Sequence, residues 1–335
     1  MFRILHDTTI DFIRLWKITT PVTLLFIIPG LILIAVSGYR YSIEFTGGTL
    51  MQVEFKTAPD VAKIRSTLNT EGIGSAEIAQ FGSDREFVIR AQDPSHVAEQ
   101  SRGAESVARD ISAALTKTFG EGSFKVTRSE TVGPKVGGEL RQKAALAILI
   151  SFFVTLAYLA YRFEWRFGMA AVIATSHDIL ATLVFIRYLN LEVSLIVVGG
   201  VLTMIGYSLN DTIIIFDRAR EDLRKKRKES LKDTLNRAVN ETLPRSVLTH
   251  ATTVATLIAL ALLGGPVIRP FALVMMFGVA TGTFSSIYVA PVILLWIEHR
   301  WPRAVGSKGG AGQRSVRAGQ SGSSSKKEPS VAATR

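Results

Sequence analysis

Residues 193–216 read VSLIVVGGVLTMIGYSLNDTIIIF, an apolar stretch with one charged side chain, Asp211. Wound as an α-helix at about 1.5 Å per residue it is ~36 Å long, enough to cross a hydrocarbon core of about 30 Å. Five more runs of this kind flank it, at 22–37, 144–161, 168–186, 246–263 and 271–297. Besides Asp211, only His177-Asp178 and His250 interrupt the six. The chain has 335 residues, 47% of them hydrophobic, and they are clumped rather than spread through amphipathic periods. It therefore reads as a polytopic α-helical membrane protein with six transmembrane helices. A soluble enzyme is excluded.

The loops orient the spans. Short loops rich in Lys and Arg stay cytoplasmic. The segment 218–241 holds nine basic residues against five acidic, including the run Arg224–Lys228, and the tail from Glu298 holds eight against two. Arg162 and Arg166 add to the same side. The predicted order is a cytoplasmic N-terminus (1–21), a first span (22–38), an extracytoplasmic α+β domain (39–143) and a second span (144–161). Spans at 168–186 and 193–216 follow, then a basic cytoplasmic loop (217–245), spans at 246–263 and 271–297, and a disordered basic cytoplasmic tail (298–335). Both termini then lie in the cytoplasm, and the chain is multi-pass in its membrane. Arg141 and Lys143 fall on the wrong side of this rule and are tolerated because long loops translocate largely regardless of charge.

The net charge of +11 fits positive-inside bias and attraction to anionic membrane lipid, not nucleic acid, because no aromatic residue is interleaved with the basic ones in 218–241. Cysteine is absent, which removes disulfides, thiolate nucleophiles and cysteine-type zinc sites. No G-x-x-x-x-G-K-[ST] loop occurs, so ATP chemistry by that route is excluded. The first run carries a leader of mixed charge and is longer than a signal-peptide core, so it is expected to be an uncleaved anchor.

The 39–143 segment has basic and acidic residues in balance and enough length for one core. Strand composition at 49–55, 76–81, 86–90 and 124–131 alternates with helical spacing at 59–70 and 96–119. The order β-α-β-β-α-β predicts a ferredoxin-like sandwich. His96 follows Pro94-Ser95 at the expected helix start and reads as a surface residue. Gly47, Gly48, Gly137 and Gly138 stand near the two junctions with the membrane, as turn glycines or as hinges.

Functional chemistry is expected inside the membrane, where an ionisable side chain costs at least about 2.5 kcal/mol and marks a pathway or relay. Asp178 lies about 15 Å into its span and Asp211 about 9 Å from the cytoplasmic end, level with Arg245, Thr249 and His250. Burial and a nearby guanidinium act on a carboxylate in opposite directions, and a site where they compete gains or loses a proton as water access changes. The bland reading is polar helix glue. No metal site is required by the spacing of the histidines and aspartates. Gly278-Val279-Ala280-Thr281-Gly282 and Gly199, Gly200 and Gly206 read as close helix packing.

Several segments together resemble the SecD/SecF family of bacterial protein-export membrane subunits, on its SecF side. They are IEFTGG at 43–48, ETVGPKVG at 130–137, HD at 177–178, GYSLNDT at 206–212 with FDR at 216–218, TLPRS at 242–246 with TH at 249–250, and SSIYVA at 285–290. Glu44 stands where the family usually has Asp. The resemblance spans residues 10 to 297. It implies a non-enzymatic subunit of the resistance–nodulation–division superfamily that pairs with SecD, a paralogue of the same six-span design. The pair would pull translocating secretory polypeptides from the SecYEG channel after SecA, using the proton motive force and no other cofactor. By the same resemblance Asp211 carries the proton, Arg245 is its basic partner, and Asp178 is a third member. His177, Asn210, Thr249 and His250 would support them, and the extracytoplasmic domain would move as protons pass. A transporter of lipid or a small molecule in the same superfamily, a non-transporting scaffold, and a hydrolase built on Ser208 are the competing readings.

Overall fold

The computed structural model describes residues 8–73, 76–91, 103–225 and 229–302. The expected N-terminal part of the second domain helix, with His96, and the tail beyond 302 lie outside them. Among the described residues, six helices are long and apolar enough to cross a membrane. They are α1 (Trp16–Ser37), α5 (Pro134–Arg162), α6 (Trp165–Tyr188), α7 (Leu195–Lys225), α8 (Leu231–Leu263) and the pair α9 (Gly265–Phe284) and α10 (Ala290–Arg300). A π-helical turn, Ser285–Val289, joins the last two into one span.

Several of these helices outrun the apolar stretches that announce them. The 217–245 segment, expected as a loop, is helix on both flanks, because α7 continues to Lys225 and α8 begins at Leu231. Side-chain pairing explains the extension. Arg237 bonds Asp222 at 3.0 Å, Arg218 pairs with Glu221 and Glu241, and Ser230 caps α8 by accepting the Asp233 N–H at 3.1 Å. Residues 134–143, expected in the extracytoplasmic domain, are the first turns of α5. Pro134 occupies the opening turn, where its missing N–H costs nothing, and the charged turns stand clear of the hydrocarbon.

Between α1 and α5 the chain makes a short helix α2 (Ile43–Thr46) and a small α+β domain. Its elements are β1 (Gly48–Phe55), α3 (Val61–Thr70), β2 (Glu77–Gln80), β3 (Glu86–Ala91), α4 (Gly103–Phe119) and β4 (Phe124–Val132). The sheet is antiparallel in the order β2-β3-β1-β4, the ferredoxin-like arrangement. Alternation along β1 puts Met51, Val53 and Phe55 against Ile64, Leu68, Ile111 and Leu115. The opposite sheet face, with Leu50, Gln52 and Arg128, overlies Glu192, Ser194 and Pro266 at the entrances of α7 and α9.

The domain is stitched to the spans. Ser42 N–H donates to Val193 O at 2.9 Å, Val193 N–H to Arg40 O at 2.8 Å, and Arg90 pairs with Glu192. The two glycine pairs meet at this junction. Gly47 and Gly48 have φ of 76° and 126°, a turn that a Cβ would strain. Gly137 is inside α5, and a Cβ there would lie 2.9 Å from Gly47 N. Close backbone packing therefore explains Gly137, and Gly138 faces open space.

Within the bundle, α7 is the central helix. Gly278 and Gly282 of α9 admit Met204 and Ser208 of α7 so tightly that added Cβ atoms would fall 2.1 Å from Met204 Cγ and 2.8 Å from Ser208 Cβ. The glycine stripe is thus a packing surface, which brings α9 and its π turn against the face of α7 that carries Ser208 and Asp211.

Candidate functional site

Three helices converge on Asp178. It sits on α6 with no exposure to solvent. Its Oδ2 accepts the Ser208 hydroxyl of α7 and the Ser285 hydroxyl of the π turn, the latter at 2.6 Å, and His177 Nδ1 lies 2.9 Å from Oδ1. π-Helical turns widen a helix locally and concentrate at functional positions. Here the turn begins at the serine that reaches the carboxylate. Ser285 is a part of the site that residue-by-residue reading leaves out, and Ser208 enters that reading only as a hydrolase nucleophile, since a serine in an apolar run carries no charge to draw notice.

Asp211 forms a second polar centre, one turn along α7 from Ser208. It is buried, and His250 Nε2 of α8 stands 3.2 Å from its Oδ2. The other imidazole nitrogen, Nδ1, is 2.8 Å from Thr283 Oγ1 of α9, and that hydroxyl donates to Val279 O at 2.8 Å. When the Thr283 proton goes to that carbonyl, Nδ1 donates to Thr283 Oγ1 and Nε2 is the nitrogen that faces the Asp211 carboxyl. A proton between Nε2 and that carboxyl can then be held by either partner. Oδ2 has no aligned hydrogen bond beyond this ion-pair contact. Tyr207 closes the site, with its hydroxyl 2.9 Å from Thr253 Oγ1 and its ring 5.4 Å from that of His250.

Arg245, expected beside Asp211, is exposed and makes no ion pair with it among the described residues. The cause is helical azimuth. Five residues separate Arg245 from His250, which places them about 140° apart around α8, so Arg245 does not share the buried face that carries His250. Ser246, one turn before His250, is buried on the His250 side. Asn210 and Thr249 are also exposed, and Thr249 bonds the Arg245 carbonyl at 2.9 Å. With Thr203, Gly206, Thr252 and Thr256 they form a polar stripe on the outer faces of α7 and α8.

Chemically, the arrangement is suited to holding a proton between a carboxyl and an imidazole. Comparison with known proteins identifies the family. The family model described as "Protein export membrane protein SecD/SecF, C-terminal" matches residues 111–300, and "SecD/SecF GG Motif" matches 32–59. The protein translocase subunit SecF of Gemmatimonas aurantiaca is 56% identical over 322 residues, covering 96% of each chain. The SecF subunit of Vibrio alginolyticus is 38% identical over 314 residues, 92% of this chain and 98% of that one. The crystal structure of SecDF, a translocon-associated membrane protein from Thermus thermophilus, superposes with a TM-score of 0.76 at 33% identity. That match covers 90% of this chain and 40% of the longer SecDF chain. The six spans, the small antiparallel domain and these matches lead to one conclusion: the chain belongs to the SecF family of protein translocase subunits.

Proposed function

We propose that this subunit works with SecD to draw secretory polypeptides across the bacterial cytoplasmic membrane at the SecYEG channel, after SecA, and that proton flow drives it. The observation that supports the proposal is the buried contact of Asp211 on α7 with His250 on α8, 3.2 Å apart inside the bundle. A carboxyl and an imidazole at membrane depth are costly, and a site that holds one proton between two bases exchanges it when water reaches either side. Gain or loss of that proton changes the charge between α7 and α8. The change reaches the sheet domain through α7, whose entrance is stitched to residues 40–44. The protein has no catalytic role in this scheme and takes no cofactor beyond the proton gradient.

The polar stripe on α7 and α8 supports a partner bundle. A guanidinium and an amide facing lipid are expensive, so Arg245 and Asn210 are covered by another set of spans, and Arg245 is positioned to meet an acidic group across that seam or Asp211 in an alternate packing. SecD is the partner this reading names. The basic segment 218–241 supports an orientation with both termini in the cytoplasm and the sheet domain outside.

Cells depleted of their own subunit and supplied with wild type or Asp211→Asn test this, with pulse-labelled precursor export followed beside membrane abundance. Normal abundance with export at the depleted level supports proton coupling. Normal abundance with unchanged export leaves Asp211 as helix glue and favours a scaffold.

A further inference from the structure

A cavity lies at the end of the bundle nearest the sheet domain. It has a volume of about 170 Å³ and is enclosed by α5, α6, α7 and the linker after α1. Its lining changes character with depth. Ile148, Leu183, Val197 and Val201, all on spans, make an apolar floor, and Tyr41 and Arg141 stand at the rim.

Arg141 precedes the second apolar run by three residues, about 4.5 Å along the helix axis, which puts its side chain at headgroup level. It is one of the two basic residues that break the orientation rule. The other, Lys143, lies 4.0 Å from Glu139. Arg141 has no ion pair among the described residues, and its guanidinium sits over the Tyr41 ring, 5.8 Å from the centroid. Its five N–H donors are thus free to meet an anion. Tyr39 completes the wall, with its hydroxyl donating to Leu183 O at 3.3 Å, and burial pushes that hydroxyl up to about 12, so it remains a donor.

An apolar slot at hydrocarbon depth, an aromatic rim and an unpaired guanidinium at headgroup depth reproduce the polarity profile of one phospholipid. We propose that this cavity binds a phospholipid of the leaflet facing the sheet domain, with its phosphodiester on Arg141 and the upper part of an acyl chain in the slot. Charge complementarity selects the occupant, because the phosphate is the anion every bilayer supplies at that level and Arg binds it with two parallel hydrogen bonds. The bound lipid touches both the linker to the sheet domain and α7, so it stabilises the junction that joins them.

The test uses the full chain in nanodiscs of phosphatidylethanolamine and phosphatidylglycerol, doped with a phosphatidylglycerol bearing a diazirine high on one acyl chain. Adducts are mapped by mass spectrometry. Labelling is expected within 144–148 and 193–201. It should fall about tenfold in Arg141→Gln, and a diacylglycerol with the same photoreactive chain should label about tenfold less. Ile148→Trp fills the slot while keeping the guanidinium, and should abolish cavity adducts while labelling at exposed Leu262 persists. Equal labelling by the diacylglycerol, unchanged labelling in Arg141→Gln, or adducts at Leu262 without any in the cavity would each overturn the proposal.

Discussion

The carboxylate of Glu44 accepts the backbone N–H of Leu195 at 2.6 Å. A residue just beyond the first span thereby closes the N-terminus of the helix that carries Asp211, across 151 positions of sequence. The first N–H groups of a helix have no internal partner, and an anion there also meets the positive end of the helix dipole. Ser42 Oγ, 3.2 Å away, orients the same carboxylate.

Removal of that cap should therefore loosen the link between sheet domain and bundle. Glu44→Ala is expected to cost about 1 kcal/mol, within the usual range for a lost N-cap, and Glu44→Gln about half as much. Amide exchange at Leu195–Val197 in detergent-solubilised protein reads the effect locally. Exchange unchanged in Glu44→Ala would show that the contact contributes nothing.

The junction glycines make opposite predictions for one chemical change. Gly137→Ala drives a methyl into the Gly47 backbone, 2.9 Å away, and should destabilise by roughly 2 kcal/mol because backbone cannot rotate aside. Gly138→Ala meets nothing within 4 Å and should stabilise α5 by about 0.5–1 kcal/mol through helix propensity alone. Thermal midpoints of the two variants should move in opposite directions.

Two hydroxyls from two other segments converge on one oxygen of Asp178, so its network should be sensitive to single deletions. Ser285→Ala removes one buried hydrogen bond to that carboxyl and is expected to cost about 1–2 kcal/mol. Ser286→Ala, whose hydroxyl only returns to its own helix at Thr283 O, should cost less than about 0.5 kcal/mol. Unfolding in mixed micelles compares the two, and equal losses would place the importance of this region in helix geometry rather than in Asp178.

The Asp211–His250 pair makes a spectroscopic prediction. The arrangement in which Nδ1 donates to Thr283 predicts ¹⁵N-histidine spectra with His250 Nδ1 protonated, and Thr283→Val should release that preference. Asp211→Asn should leave Nε2 without its shared proton. A His250 signal indifferent to both changes would remove the one-proton description.

Glu192 gives a pH dependence of definite sign. Burial raises its carboxyl above the ordinary 4.5, with Arg90 and then Arg40 acting the other way. The folded state therefore holds this proton more tightly than the unfolded chain, so the contribution of Glu192 to stability is greatest in acid and declines as pH rises from the ordinary carboxylate range. Glu192→Gln should flatten the stability profile as pH rises from the ordinary carboxylate range. A profile as steep as wild type would assign the slope to other carboxylates.

Much of the architecture was already legible in the chain. A bilayer offers no water to satisfy peptide groups, so an apolar run of sufficient length has to be a helix, and run length alone placed all six spans. Alternation in β1 and the spacing of Ile64 and Leu68 likewise announced the small domain, because each pattern has only one face to bury. Charge at membrane depth marked Asp178, Asp211 and His250 for the same energetic reason. What composition could not reveal is azimuth and reach. Successive residues on a helix point about 100° apart, so only packing decided that His250 faces Asp211 while Arg245 turns outward. Packing through Gly278 and Gly282 brought Ser208 and Ser285 to Asp178, and the fold of the linker carried Glu44 to Leu195. Such contacts join residues that sequence distance keeps apart, and they exist only after the helices have chosen their neighbours.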